Sequence, residues 1–309
     1  MGPLAIRPAV VLAGILLLPA CGDEGDTIVM TTVVQKFDFY VDAALGNDRN
    51  AGTIDAPFRR ITYALGRALP GDWIKVAHGT YDAAHGELFP LPVFSGVRLI
   101  GDEAGKGDGP APTRVIVTPA LGQPSRAFTV EADGLLAGFR IENPGHNFDG
   151  SDEGVRMTGV AAVVRNNTIT SDGGTGTGLI LAGATGSSTL VWGNVVSGYD
   201  VGVSCLNGLG ALFEDNVITG NAVGVHLFGT FNYAANFGNG PGSTTSLGSL
   251  GGNVFSGNST ADVLAEGTAS VTLMFRDNFW DHVPPSGNDI VNTGSDTLDT
   301  TGARLAPAP

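Results

Sequence analysis

An asparagine returns in five short segments of this chain with the same apolar neighbours, and few folds accommodate such a pattern. The segments are VVRNNTIT from residue 163, LVWGNVVSG from 190, LFEDNVITGN from 212, LGGNVFSGN from 250 and MFRDNFWDH from 274. They align Asn167, Asn194, Asn216, Asn253 and Asn278. Two places later stand Ile169, Val196, Ile218, Phe255 and Trp280, and three places earlier stand Val164, Val191, Phe213, Leu250 and Phe275. The column two places before Asn mixes Arg165, Trp192, Glu214, Gly251 and Arg276, the varied chemistry of positions that face solvent. Successive asparagines lie 27, 22, 37 and 25 residues apart, a period that indicates a solenoid with one insertion.

A second column follows the first four asparagines: GLIL from 178, GVSC from 202, GVHL from 224 and DVLA from 262. Alternation along a short strand sends Leu179 and Leu181, Val203 and Cys205, Val225 and Leu227, and Val263 and Ala265 inward. The side chains between them, Ile180, Ser204, His226 and Leu264, then face outward, which makes Ser204 and His226 the candidate ligand-facing residues. Strands this short stack in parallel about 4.8 Å apart, with a bend in each coil. Asn suits the bend because it tolerates the left-handed conformation and its amide both donates and accepts. The five aligned asparagines are therefore expected to form a structural ladder.

Composition points the same way. The chain has 47 Gly in 309 residues and only 15% charged residues, which suits short strands and tight turns rather than long helices. The net charge of -14 repels phosphate backbones, so no nucleic-acid partner is expected. An anionic polysaccharide would need a local basic patch, and the sequence holds no basic run.

The first residues, MGPLAIRPAVVLAGILLLPAC, place one Arg before an apolar run from Ala9 to Leu18. The run is too short to span a bilayer and fits a signal-peptide core. Its ending, LPAC, resembles a bacterial lipobox, with Pro19 departing from the commoner residue there. Cys21 is then the lipidation site, and the membrane is a partner through the lipid anchor, at the outer membrane or cell surface. The expected organisation is residues 1–21 as lipoprotein signal and lipobox, 22–36 as an acidic tether, and 37–309 as a single β domain with an N-terminal cap at 37–82.

The coil columns resemble those of right-handed parallel β-helices of the pectate-lyase-like superfamily. The stretch YVDAALGNDRNAGTIDAPFRRITYALGRALPGDWIKVAHGTY, residues 40–81, is similar to the opening module of bacterial β-helix lipoproteins of a domain-of-unknown-function family. The resemblance implies an all-β, right-handed parallel β-helix with an N-terminal capping helix. Phe58, Ile61, Leu65, Ala68 and Leu69 recur at helical spacing, and Pro57 suits a first helical turn. Such a helix would cover the open first coil.

The sequence offers little chemistry. Lyases on this fold need a Lys or Arg base and usually a cation held by carboxylates, and inverting hydrolases need a spaced carboxylate pair. Neither occurs in the outward column, where His226 reads as a lone solvated imidazole. Lys75 is expected on an exposed flank of the strand DWIKVA, and GTGTG at 174–178 is expected to be a turn. No catalytic residue, metal site or cofactor is expected. The acidic clusters at 101–109 and 149–154 have ligand chemistry for calcium but not the spacing of an EF-hand loop. A carbohydrate-binding or structural module follows as the leading expectation. The alternative is a polysaccharide lyase or glycosidase built from loops, for example from Arg126, Arg140, Arg156 and the acidic loop after Phe148.

Overall fold

The computed structural model describes residues 35–118, 125–143, 152–172, 175–183, 189–206, 211–229, 235–238, 248–268 and 270–307. Cys21 and most of the tether at 22–36 lie outside the described residues. From Asp38 onward the chain forms one unit. Among the described residues no helix is long and apolar enough to cross a membrane.

The period in the sequence becomes a parallel β-helix. Most coils contribute one short strand to each of three parallel sheets, of seven, nine and eight described strands, and Thr272–Met274 and Thr297–Asp299 pair as a further two-stranded parallel sheet. In one coil the strands are Leu212–Glu214, Val217–Thr219 and Val223–Phe228; each pairs in parallel with its counterpart in the coil before, and the latter two also with their counterparts in the coil after. The inward columns read from sequence are buried. Leu179, Leu181, Val203, Cys205, Val225, Leu227, Val263 and Ala265 are all fully shielded. Each large side chain so buried contributes about 1.5–3 kcal/mol.

The bend between the first and second sheets holds the ladder. The side-chain oxygen of Asn194 accepts from Asn167 N and Nδ2 at 3.1 and 3.0 Å, and Asn216, Asn253 and Asn278 each do the same for the Asn one coil earlier. The left-handed conformation falls one residue before the ladder, not on it: Asn166, Gly193, Asp215, Gly252 and Asp277 all have positive φ. The turn thus needs a short polar residue or glycine first and a ladder amide second.

The insertion places one apolar column differently from the expectation. Leu250 is 73% exposed, and its place is filled by Phe237, which stacks between Phe213 at 4.2 Å and Phe275 at 4.5 Å. The bridges from Leu212 through Asn236 to Met274 carry the first sheet across that coil. Residues 235–238 hold the sheet position in that coil and Gly251 and Gly252 make the bend, so sequence distance to the Asn misleads.

At the N-terminal end the helix is shorter than its apolar spacing suggests. It runs Ile61–Leu65, and Leu69 lies beyond it and is exposed. Pro57 precedes the helix and offers its carbonyl to Asn47 N and Asn50 Nδ2. Ile61 and Thr62 amides donate to the Glu87 carboxylate at 2.7 and 2.8 Å, which satisfies the open first turn from a distant segment. Ile61, Ala64 and Leu65 are buried, and the helix packs on Phe39–Val41 and Leu91–Val93, the end strands of the first and third sheets.

Candidate functional site

The outward face of the third sheet is set by register. Ser204 pairs with Ile180 and His226, and His226 pairs with Leu264. Ser204 is only 8% exposed, because its short side chain sits between larger neighbours, so it is not an open ligand contact. His226 is not alone. Its Nε2 lies 2.7 Å from Glu266 Oε2, a residue one coil away, and its ring stacks on Phe228 at 4.5 Å. The Phe228 contact follows from the two-residue period, which places both rings on one face.

The arginines of the alternative expectation separate into two groups. Arg126 Nε reaches Glu153 Oε2 at 2.6 Å and Arg156 Nε reaches the same oxygen at 2.7 Å, both on the third sheet. Arg140, on the second sheet, instead pairs with Glu142 at 2.5 Å and Asp108 at 2.7 Å, and Arg114 joins Glu142 at 2.7 Å. Residues 144–151, with Asp149, lie outside the described residues. Burial alone would raise the Glu153 carboxyl, but the bonds from Arg156 and Arg126 outweigh it and hold the pKa below the usual carboxylate range. Glu142 behaves likewise between Arg114 and Arg140. A guanidinium held this way is a structural clamp rather than a free base.

The clamp has a measurable consequence. Glu153→Gln should cost about 2–3 kcal/mol at neutral pH, since two guanidiniums lose a charged acceptor. With its folded pKa lowered, Glu153 stabilises fully above the ordinary carboxylate range and loses that contribution as pH falls through the folded value. The thermal midpoint of the Gln variant should therefore depend less on pH in the acid range, and equal slopes for the two proteins would contradict the clamp.

Two further expectations change. Lys75 is half-buried and donates to the Gly101 carbonyl, and its burial lowers the amine pKa against the pull of Asp102 and Glu103. In GTGTG, Gly174 lies outside the described residues, while Thr177 and Gly178 begin the strand Thr177–Ala182 rather than a turn. The described acids of the two acidic runs at 101–109 and 149–154 mostly have partners. Glu103 pairs with Arg165 at 2.8 Å, Asp108 with Arg140, and Asp152 accepts from Ser125 N at 2.9 Å.

Sequence reasoning missed a second ladder in the bend between the second and third sheets. Asn221 N and Nδ2 both donate to Asn258 Oδ1 at 3.0 Å, and Tyr199 N donates to Asn221 Oδ1 at 3.1 Å. Its signal was present, because both asparagines follow a left-handed glycine, Gly220 or Gly257, as Asn194 and Asn253 do in the first ladder. The second ladder ends on Asp262, whose Oδ1 accepts from Asn258 Nδ2 at 2.7 Å. Near it lie Asp281 and Asp289, with one carboxylate oxygen from each of the three within 4.8 Å of the others. Burial first, then the charges of Asp281 and Asp289, push the Asp262 carboxyl up to about 6. Of the described residues, these three could hold a cation, and they come from distant positions in the sequence.

Residues 44–287 match the family described as Protein of unknown function (DUF1565). The chain belongs to the DUF1565 family. No curated protein matches it. Among solved structures, this DUF1565 chain is similar to the pectate lyase Pel9A, at 16% identity, covering 87% of this chain and 78% of that one, with a TM-score of 0.47. It is similar also to a rhamnogalacturonan lyase, at 14% identity, 87% and 86% coverage and a TM-score of 0.40. A third is the A-module of the Azotobacter vinelandii mannuronan C-5 epimerase AlgE4, at 14% identity, 87% and 98% coverage and a TM-score of 0.37.

Proposed function

We propose that this DUF1565 protein is an exported, lipid-anchored β-helix that presents a carbohydrate-binding surface and carries no working catalytic site. The observation that carries the reading is how the charges on the sheets are used. Arg114, Arg126, Arg140, Arg156, Arg165 and Arg276 all spend their guanidiniums on carboxylates, so a uronate or a reacting proton finds them already engaged. The His226–Phe228 stack offers instead an aromatic face beside the acceptor Glu266, which is 45% exposed. Ring faces with an adjacent acceptor suit the apolar face and hydroxyls of a neutral sugar. The net charge of -14 favours a neutral glycan over an anionic one.

A glycan array with the purified chain, followed by calorimetry on the best binder, tests the surface. Phe228→Ala should weaken binding at least tenfold, and an array without a binder would remove the carbohydrate part of the proposal. Release of unsaturated uronates from pectin or alginate would overturn the non-catalytic part. For the anchor, Cys21→Ser should move the protein from the membrane fraction to the soluble exported fraction. Unchanged partition would refute lipidation.

A further inference from the structure

The third sheet has an inner column of glycines, Gly154, Gly178, Gly202 and Gly224, that ends in Asp262. The glycines are required by space. A Cβ on Gly202 would lie 2.7 Å from Gly224 O and 2.8 Å from Asn221 Nδ2, and one on Gly224 would lie 2.5 Å from Asp262 O and 2.8 Å from Asn258 Nδ2. The column faces the second ladder, and its ladder amides fill the room that side chains would need. In the Asp262 coil a side chain does occupy this column, and it stands where the next ladder amide would be.

An asparagine would serve the ladder there without charge, since its oxygen could accept from Asn258 and its amide could donate. The aspartate does only half of this. Oδ1 accepts from Asn258, and Oδ2 has no hydrogen-bond partner although the residue is 1% exposed. A buried carboxylate oxygen without a donor is costly. Two more carboxylates make it costlier still: Asp289, 1% exposed, and Asp281, exposed at the rim. The base bonded to this group, His282, reaches both oxygens of Asp289 at 3.1 Å and leaves Asp262 Oδ2 unanswered. The arginine clamps elsewhere show how this fold neutralises its other half-buried acids, and no such clamp is made here among the described residues.

We propose that Asp262, Asp281 and Asp289 bind one hard divalent cation of the calcium type at the end of the second asparagine ladder. The donors are all carboxylate oxygens, which suits hard cations and disfavours zinc or copper. A mutual spread within 4.8 Å is what oxygens around one calcium ion show, at about 2.3–2.6 Å from the metal each. Magnesium demands shorter distances and near-octahedral order. Exposed Asp281 gives the ion a way in, and waters complete its shell. The bound ion would tie the bend after Trp280 to the third-sheet strand Ala261–Ala265 and the turn Gly287–Asp289.

Calorimetric titration of the chelator-treated full chain with calcium chloride tests this, with thermal midpoints measured in parallel. One ion per chain is expected, with a Kd in the range of about 10⁻⁴–10⁻³ M of extracellular calcium modules and a midpoint that rises with calcium. Asp281→Asn, at the exposed rim, should raise the metal-free midpoint slightly by removing one repelling charge and weaken binding about tenfold. Asp262→Asn restores a neutral ladder end, so it should raise the metal-free midpoint and abolish the calcium response. No heat and no midpoint shift at about 10 mM calcium would overturn the site, leaving Asp262 as the ladder end alone. Binding that survives both substitutions would overturn it too, and equal stabilisation by magnesium would overturn the calcium assignment. If Asp262→Asn does not fold, Asp281→Asn alone decides.

Discussion

Phe237→Ala should destabilise the protein by about 3–5 kcal/mol, and Leu250→Ala by less than about 0.5 kcal/mol. Phe237 is wholly buried and stacked between Phe213 and Phe275, with interplanar angles of 17° and 6°, and it also meets Phe255 edge-on at 6.0 Å. Truncation would open a cavity spanning three coils that rigid neighbouring rings cannot fill by collapse. Leu250 is exposed and its amide, not its side chain, is what bonds, to Glu214 Oε1 at 2.9 Å. Thermal midpoints of the two variants give the comparison. A silent Phe237→Ala beside a damaging Leu250→Ala would return the insertion coil to the arrangement that the sequence spacing alone suggests.

The second large effect belongs to the ladder. Asn216→Ala removes the acceptor of Asn194 N and Nδ2 and the donor to Val191 O and Asn253 Oδ1, all of them buried. Leaving these groups unpaired should cost about 3 kcal/mol. His226→Ala, which loses a partly exposed pair with Glu266, should cost less than about 1 kcal/mol. Denaturant midpoints of both variants against the parent test the contrast. A larger loss for His226→Ala would mean that the outward face, rather than the bend, carries the stability of this coil.

Much of the fold was legible because β-helix physics writes itself in columns. The inward pairs from Leu179–Leu181 to Val263–Ala265 follow from alternation alone, and Asn216 announced its ladder by recurring beside them. Leu250 misled because counting back from Asn253 assumes a coil without an excursion. The Asn221–Asn258 ladder was passed over because only two asparagines make it, although each repeats the Gly-Asn turn. His226 showed no partner in the sequence because Glu266 arrives from the next coil, 40 residues away. The acidic group of Asp262, Asp281 and Asp289 was invisible for the same reason, whereas contiguous runs such as DGSDEG drew attention, and of that run Asp152 is tied to Ser125 and Glu153 to arginines. Local chemistry can be read along a chain; chemistry between coils depends on a register that the chain discloses only where it repeats without interruption.

The ladder bonds also bear on how such a chain can change its length. Asn194 N donates to Asn216 Oδ1 at 3.0 Å, and Asn216 N donates to Asn253 Oδ1 at 3.1 Å, so the two junctions are interchangeable although one closes over 22 residues and the other over 37. Excising Val195 to Asn216 would join Asn194 directly to Val217, the register partner of Val195, and each remaining amide would meet the same kind of neighbour as before. The β-helix can therefore be lengthened or shortened by whole turns, as a stack gains or loses a plate, without inventing a new contact.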